Sequence, residues 1–264
     1  MSTPPSLWGR YFQRSGQILG KTLSDIVLMK GADGPVRAPR TLFSYNTAEE
    51  INQIATGCDA DIGGLSTVNF TLNTRPEINQ PIGKPATGMF WGDMRTQVKP
   101  GMQGKIRGGY AGFRNKNKPT MFGNMTDDAS AHDYLALRVR AAGDPQTHNS
   151  FFVNIQTEGP ISRDLWQHRL YFKKQNGSWE DVYLPFANFV RTNAGEMSEN
   201  QMTMLREKIR SIGISILGGN SGIEGRYELG IDSVRIVNEE DVDYTTFGSK
   251  SDSEKDPFDE KVTL

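Results

Sequence analysis

The chain has 264 residues, with 30 basic and 31 acidic side chains and a formal net charge of −1. A protein that coats nucleic acid carries a strong excess of positive charge, so this balance argues against nucleic acid as a partner. The single cysteine, Cys58, excludes an intrachain disulfide, and the 28 glycines and 13 prolines favour a turn-rich β architecture.

Residues 6–28 have the clearest helical pattern in the sequence. At about 3.6 residues per turn, their apolar side chains share one broad face and the basic side chains gather opposite. No acid precedes Asp25, which fits a mitochondrial presequence or an interfacial membrane helix. An ordinary helix docked on the domain is the alternative, because three glycines interrupt the segment. The side chains predicted to contact membrane or partner are Trp8, Arg10, Phe12, Arg14 and Lys21.

Composition divides the chain into three parts. Residues 31–40 contain two prolines and two glycines and indicate a linker, so residues 1–40 are predicted to form a helix and a linker. Residues 41–247 are predicted to form the folded domain. Residues 248–264 are rich in Ser, Asp, Glu and Lys and have almost nothing to bury, which predicts a disordered acidic tail.

Within the domain, most segments alternate polar and apolar residues with a period of two, which is typical of half-buried strands. Examples are 66–72, 134–140, 151–155, 169–172, 212–217 and 227–237. In the second of them, Leu135, Leu137 and Val139 are predicted to face one way and Arg138 and Arg140 the other. Glycine-rich turns such as 218–222 join the segments, as in an antiparallel sandwich.

One helix is predicted to interrupt the strands near residue 200. Ser198 and Gln201 have the spacing of a capping box, in which each side chain reaches a backbone amide of the first helical turn. Met202, Leu205 and Ile209 then form an apolar stripe.

The stretch GCDADIGGLS at residues 57–66 places two acids and a glycine pair directly before a strand. A phosphate loop needs a helix after its glycines, so that interpretation fails. A calcium loop needs about six to eight oxygen ligands, and Asp59 and Asp61 would require distant residues to complete the set. The favoured interpretation is a structural turn, in which Gly63 and Gly64 bend the backbone, Asp59 accepts from turn amides and Ser66 leads into the strand.

Nine segments in a shared order resemble the thirty-kilodalton complex I intermediate-associated protein family. The matching segments are 58–66 (CDADIGGLS), 108–112 (GGYAG), 133–140 (DYLALRVR), 152–157 (FVNIQT), 179–182 (WEDV), 184–186 (LPF), Phe189, 211–215 (SIGIS) and 229–232 (LGID). Cys58 and Ala60 replace the Ser and Arg that are usual in the family.

The resemblance implies an all-β fold, a galactose-binding-domain-like jelly-roll β-sandwich with one or two peripheral helices. It also implies a non-catalytic assembly factor that binds membrane-arm intermediates of mitochondrial complex I, together with other assembly factors. The implied location is mitochondrial, on the matrix side of the inner membrane.

The segment from Met94 to Thr126 contains no acid. The basic side chains within it are Arg95, Lys99, Lys105, Arg107, Arg114, Lys116 and Lys118. One interpretation is an edge kept soluble by lysines, and the other is a docking surface for an acidic protein or an anionic lipid. The residues predicted to bind a partner are Arg95, Lys105, Arg107, Tyr110, Arg114 and Lys116.

The sequence offers no positive case for catalysis, a metal or a cofactor. His132, His148 and His168 are widely spaced without a metal-ligand pattern, and no nucleophile motif occurs. The alternative function is carbohydrate binding, as in modules of the same fold. In that case Trp91, Trp166 and Trp179 would line a groove as exposed, coplanar rings.

Overall fold

The computed structural model describes residues 7–27, 34–121, 123–159, 164–193, 196–219 and 221–243. The helices are α1 Leu7–Val27, α2 Ala48–Ile51 and α3 Pro76–Asn79. The strands in chain order are β1 Arg40–Ser44, β2 Ile54–Cys58, β3 Asn69–Asn73, β4 Thr87–Met94, β5 Tyr110–Asn115, β6 Pro119–Thr120, β7 Gly123–Asn124, β8 Tyr134–Gly143, β9 Phe151–Thr157, β10 Asp164–Arg169, β11 Glu180–Pro185, β12 Val190–Asn193, β13 Glu196–Met197, β14 Ile209–Leu217 and β15 Gly225–Val237.

Two antiparallel sheets stack face to face. The six-stranded sheet has the order β11-β8-β15-β4-β3, and β1 also pairs with β15. The seven-stranded sheet has the order β13-β12-β10-β9-β14-β5-β2. Chain neighbours such as β4 and β5 lie in different sheets, so the chain crosses repeatedly between layers. The predicted all-β jelly-roll sandwich is confirmed.

Aromatic rings fill the space between the sheets. The ring centroid of Phe90 on β4 lies 5.0 Å from that of Phe113 on β5 and 5.0 Å from that of Tyr227 on β15. Phe151 on β9 is fully buried beside them. These edge-to-face and tilted ring pairs add to the free energy gained by burial, so this cluster joins the two layers.

Strand β8 is covered on both faces, although its alternation predicts a half-buried strand. Leu135, Leu137 and Val139 are fully buried between the sheets, as expected. On the other face Arg140 is only 8% exposed and pairs with Glu228 on β15. The arginines of this face therefore pack against carboxylates on neighbouring strands instead of pointing freely into water.

The prediction of a helix near residue 200 is wrong. Residues 198–205 have no regular structure, a single 3₁₀ turn spans Arg206–Lys208, and Ile209 begins β14. The side chain of Gln201 accepts from the Arg191 amide at 2.8 Å and donates to the Arg191 carbonyl at 3.0 Å. The amide group expected to cap a helix instead pairs with the backbone of β12.

Strand boundaries also differ from the prediction, most of all in two segments. The strand predicted over 169–172 lies earlier in the chain. The observed strand, β10, ends at Arg169, and Leu170 after it is buried in the core. The segment predicted over 66–72 begins as a strand only at Asn69. Ser66 is held by a side-chain carboxylate of the preceding turn, so the strand starts after it.

Helix α1 lies against the short strand β6. The hydroxyl of Ser15 accepts from the Met121 amide at 3.0 Å and donates to the Tyr11 carbonyl at 2.9 Å. The end of the predicted linker is also bound to the domain, because the Arg37 carbonyl accepts from the Asn238 amide group at 2.7 Å. Residues 28–33 and the predicted tail 248–264 lie outside the described residues, and the domain boundaries stay a prediction.

Candidate docking surface

A short 3₁₀ helix, Asp59–Ile62, forms the turn ahead of β3. Asp59 is only 2% exposed, and its carboxylate accepts from both the amide and the hydroxyl of Ser66, each at 2.9 Å. The same carboxylate accepts from the Gly109 amide at 2.5 Å and the Tyr110 amide at 3.2 Å. Four donors therefore surround one buried carboxylate, which links the turn to the start of β5.

The two glycines of this turn are required for different reasons. Gly63 has φ +111°, a left-handed conformation that residues with a side chain adopt at a cost. Gly64 has an ordinary φ, but a Cβ there would lie 2.3 Å from Cγ of Asp59. Gly63 therefore allows the bend, and Gly64 leaves room for the buried carboxylate.

The carboxylates of the turn are engaged with the protein's own amides. Asp61 accepts from the Cys58 amide at 3.3 Å, and the thiol of Cys58 donates to the Ser66 carbonyl at 3.3 Å. Burial raises the pKa of this thiol above its ordinary value. Among the described residues, no group of three or more His, Cys, Asp or Glu side chains has the geometry of a metal site. These contacts favour the structural interpretation of the turn.

The predicted partner-binding side chains are all exposed, and they lie on β5 and in the segments before and after it. Arg95, Lys105 and Arg107 lie in the loop between β4 and β5, whose end is fixed by Asp59. Tyr110 and Arg114 lie on the outer face of β5, and Lys116 follows the strand. We call these side chains the basic strip: Arg95, Lys105, Arg107, Tyr110, Arg114 and Lys116.

One acid approaches the basic strip from a distant part of the sequence. The carboxylate of Glu224, in the turn between β14 and β15, accepts from the Thr96 amide at 2.8 Å and its hydroxyl at 2.6 Å. These hydrogen bonds lower the pKa of Glu224 below its ordinary value. Glu224 therefore anchors the loop of the basic strip. Because Glu224 lies far outside the acid-free segment from Met94 to Thr126, the sequence does not show that it reaches this loop.

A trough runs along the outer face of the seven-stranded sheet beside the basic strip. Its cavity volume is about 220 Å³, and its floor consists of small residues such as Gly112, Ser211 and Gly213. Asn154 and Gln156 form the opposite wall. No carboxylate lines the trough within the described residues, so Arg114 there meets only neutral polar groups. These wall residues do not stand out in the sequence. The period of two places Asn154 and Gln156 on one face of β9, but only the pairing of Asn154 with Gly213 brings them to the trough.

The three tryptophans do not share a groove. Trp166 and Trp179 are 6% and 8% exposed, and Trp166 lies on β10 of the seven-stranded sheet. Trp91 lies on β4 of the other sheet, where the guanidinium of Arg226 is 5.4 Å from its ring. The predicted carbohydrate groove of coplanar, exposed rings is therefore not formed by these residues.

Helix α1 exposes large apolar side chains. Trp8, Phe12, Leu19 and Leu23 are 72%, 57%, 50% and 61% exposed. Arg10 is exposed and Arg14 half-buried, while the side chain of Lys21 lies outside the described part of the chain. None of the described helices is both long and apolar enough to cross a bilayer.

The histidines are also separated in space. His132 and His148 are buried, and each places Nε2 near a backbone carbonyl, of Ala38 at 3.0 Å and of Ala142 at 3.2 Å. His168 lies on β10, where its ring centroid is 5.3 Å from that of Phe189. Each ring is thus bound within its own part of the fold.

The architecture is similar to that of solved carbohydrate-binding modules. A Family 11 carbohydrate-binding module from Clostridium thermocellum, solved with a β-1,3-1,4-mixed-linked tetrasaccharide, has a TM-score of 0.51 and 13% sequence identity. The match covers 77% of this chain and 98% of the module. At this identity the likeness establishes the fold alone.

The sequence itself is similar to that of proteins named for one cellular process. A relative from Neurospora crassa, "Complex I intermediate-associated protein 30, mitochondrial", is 34% identical over 89% of this chain and 85% of its own length. A Mus musculus relative of the same name is 22% identical over 83% of this chain and 60% of its own length. Residues 43–231 match the family described as Complex I intermediate-associated protein 30. The chain therefore belongs to the complex I intermediate-associated protein 30 family.

Proposed function

We propose that this protein is a non-catalytic assembly factor that binds membrane-arm intermediates during the biogenesis of mitochondrial complex I. The observation that carries the proposal is the 34% identity, over 89% of the chain, to a mitochondrial relative named for complex I intermediates. The assembly factor needs only to hold a partner in place. A rigid sandwich with an exposed binding face suits that task, because little side-chain or loop ordering is required on binding.

The basic strip and the trough together form the proposed docking surface. Arg107 lies in the loop that leads into β5 and Arg114 lies on the strand. The trough between β5 and β9 contributes amide and hydroxyl groups. Positive charge steers an acidic partner to the surface, and the neutral polar groups fix its register through hydrogen bonds. The favoured partner is therefore a protein segment rich in Asp or Glu, from an assembly intermediate or another assembly factor.

The proposed location is the matrix side of the inner membrane. The exposed apolar side chains of α1, such as Trp8 and Leu23, would insert into the interfacial region of the bilayer. Basic side chains on the same helix would attract anionic lipid. The helix then holds the domain beside the membrane arm without spanning the bilayer.

Changing Arg10, Arg14 and Lys21 together to Glu should abolish binding to vesicles that contain anionic lipid. Each basic residue near an anionic surface contributes about 1 kcal/mol, so reversing three of them removes several kcal/mol. Binding of the unaltered protein should also weaken as salt rises. Vesicle co-sedimentation measures both effects.

A matched control for this experiment changes Arg95, Lys99 and Lys105 to Glu. It alters the net charge by the same amount and leaves α1 intact. That variant should retain most of its vesicle binding. If the helix variant binds as well as the unaltered protein, α1 is not an electrostatic anchor.

The function itself is tested by purifying the tagged protein from mitochondria and identifying the co-purified proteins by mass spectrometry. Subunits of the complex I membrane arm should be enriched relative to subunits of other respiratory complexes. Deletion of the gene should deplete mature complex I on native gels. Normal complex I in the deletion strain would contradict the proposal.

A further inference from the structure

A cavity of about 750 Å³ lies between the first half of α1 and the domain. Arg10 and Arg14 line it from the helix, and Lys116 lines it from the end of β5. Asn52 and Asn117 contribute carboxamide groups, and no carboxylate lines the cavity among the described residues. Three cations that face one space without an acid form a site for an anion.

The cavity is held together by contacts on both sides. Arg10 and Arg14 are one helical turn apart, so they lie on the same side of α1. The hydrogen bond between Ser15 and the Met121 amide fixes the helix to the domain. The ammonium group of Lys116 donates to the Asn52 carbonyl at 2.9 Å, which holds this third cation at the edge of the cavity.

The cavity adjoins the exposed apolar surface of the helix. Trp8, Phe12, Leu19 and Leu23 fall within an arc of about 60° when successive residues are placed about 100° apart. Trp8 belongs to this arc and also lines the cavity, so the cavity reaches one edge of the apolar surface. A ligand that fits both regions has an anionic head and long apolar tails.

We propose that this cavity binds the headgroup of an anionic phospholipid, with the phosphate held by Arg10, Arg14 and Lys116. The acyl chains would then continue past Trp8 along the apolar surface of α1. This inference rests on the membrane contact proposed above and adds a specific headgroup site that includes a residue of the domain. The helix and the β-sandwich would thus both contact the same lipid molecule.

The site is tested with dihexanoyl phosphatidylglycerol, a short-chain lipid, kept below its micelle concentration. Titration into the ¹⁵N-labelled full chain should shift the indole resonance of Trp8 with saturable, one-to-one binding. Arg14→Gln and Lys116→Gln should each weaken this binding by about fivefold. The control Lys118→Gln removes the same charge two residues away and outside the cavity, and it should change binding by less than about twofold.

Each other outcome would overturn the inference in a distinguishable way. Equal binding of dihexanoyl phosphatidylcholine would show that the site does not select an anion. Equally tight binding of inorganic phosphate would assign the site to a free anion instead of a lipid. If the short-chain lipid does not bind, while all three variants lose vesicle binding equally, the helix senses bulk charge without a headgroup site. Co-purification with complex I subunits would stand in all three cases.

Discussion

Replacing Gly64 with valine should destabilise the protein by about 3 kcal/mol or more and lower its abundance in cells. A Cβ at this position would lie 2.3 Å from Cγ of Asp59, so the buried carboxylate must move. Its movement would separate it from Ser66, Gly109 and Tyr110, and each buried donor left without an acceptor costs about 1–3 kcal/mol. This is a large part of a typical stability of about 5–15 kcal/mol.

Gly63→Val should destabilise the protein less than Gly64→Val. Its cost comes from the left-handed backbone, about 1–3 kcal/mol, and from close approach to the flexible side chain of Met102. Gly159→Val is the control, because Gly159 has an ordinary φ and open space around it. Its melting temperature should match that of the unaltered protein, whereas Gly64→Val should melt about 10 °C lower.

The turn variants should impair complex I assembly only through loss of the protein. Restoring the level of a Gly64→Val protein by overexpression should therefore restore much of the mature complex I. Measurements of melting temperature, protein level and complex I on native gels separate these effects. A Gly64→Val protein that melts normally would contradict the role of the buried Asp59 contacts.

Alternation along the sequence predicts several strands of this fold because both sheets bury one common core. Leu135, Leu137 and Val139 show this in β8, where the apolar residues fall on the core side. The same local reasoning fails near residue 200. The pattern of Ser198 and Gln201 suits a helix cap, yet hydrogen bonds to β12 stabilise an irregular segment. A contact with a distant strand outweighs a weak local preference.

The sequence indicates a turn at residues 57–66, but it does not reveal what the turn holds. Gly109 and Tyr110 are about fifty residues from Asp59, and only the antiparallel pairing of β2 with β5 brings them to its carboxylate. Glu224 is a similar case, since it reaches Thr96 across 128 positions of the chain. The basic segment is visible in the sequence as a stretch without acids, whereas the fold determines which distant acid anchors it.

The cavity beside α1 also depends on the fold. Arg10 and Arg14 stand out in the sequence as part of an amphipathic helix. Lys116 stands out only as part of the basic segment. These three residues line one cavity because α1 packs on β6. The periodic patterns in the sequence do not predict that packing.

Changing Arg107, Arg114 and Lys116 to Glu should leave the protein stable and abolish its capture of assembly intermediates. All three side chains are exposed, and exposed charges usually change stability by less than about 0.5 kcal/mol each. An acidic partner would instead meet three like charges, which slows encounter and costs several kcal/mol on binding. The variant protein should accumulate and melt normally, while complex I intermediates fail to mature on native gels of cells that lack the unaltered protein.

Two further variants test whether the loss of captured intermediates comes from lost docking at the basic strip. Lys173, Lys208 and Arg226 are exposed positions outside the basic strip, and changing them to Glu alters the net charge equally. That control should support normal assembly. Arg107→Glu with Arg114→Glu omits Lys116, the residue shared with the lipid cavity, and should still lose most capture of intermediates. If this double variant assembles complex I normally and only the triple variant fails, Lys116 acts through the lipid cavity, and the basic strip is not the docking surface.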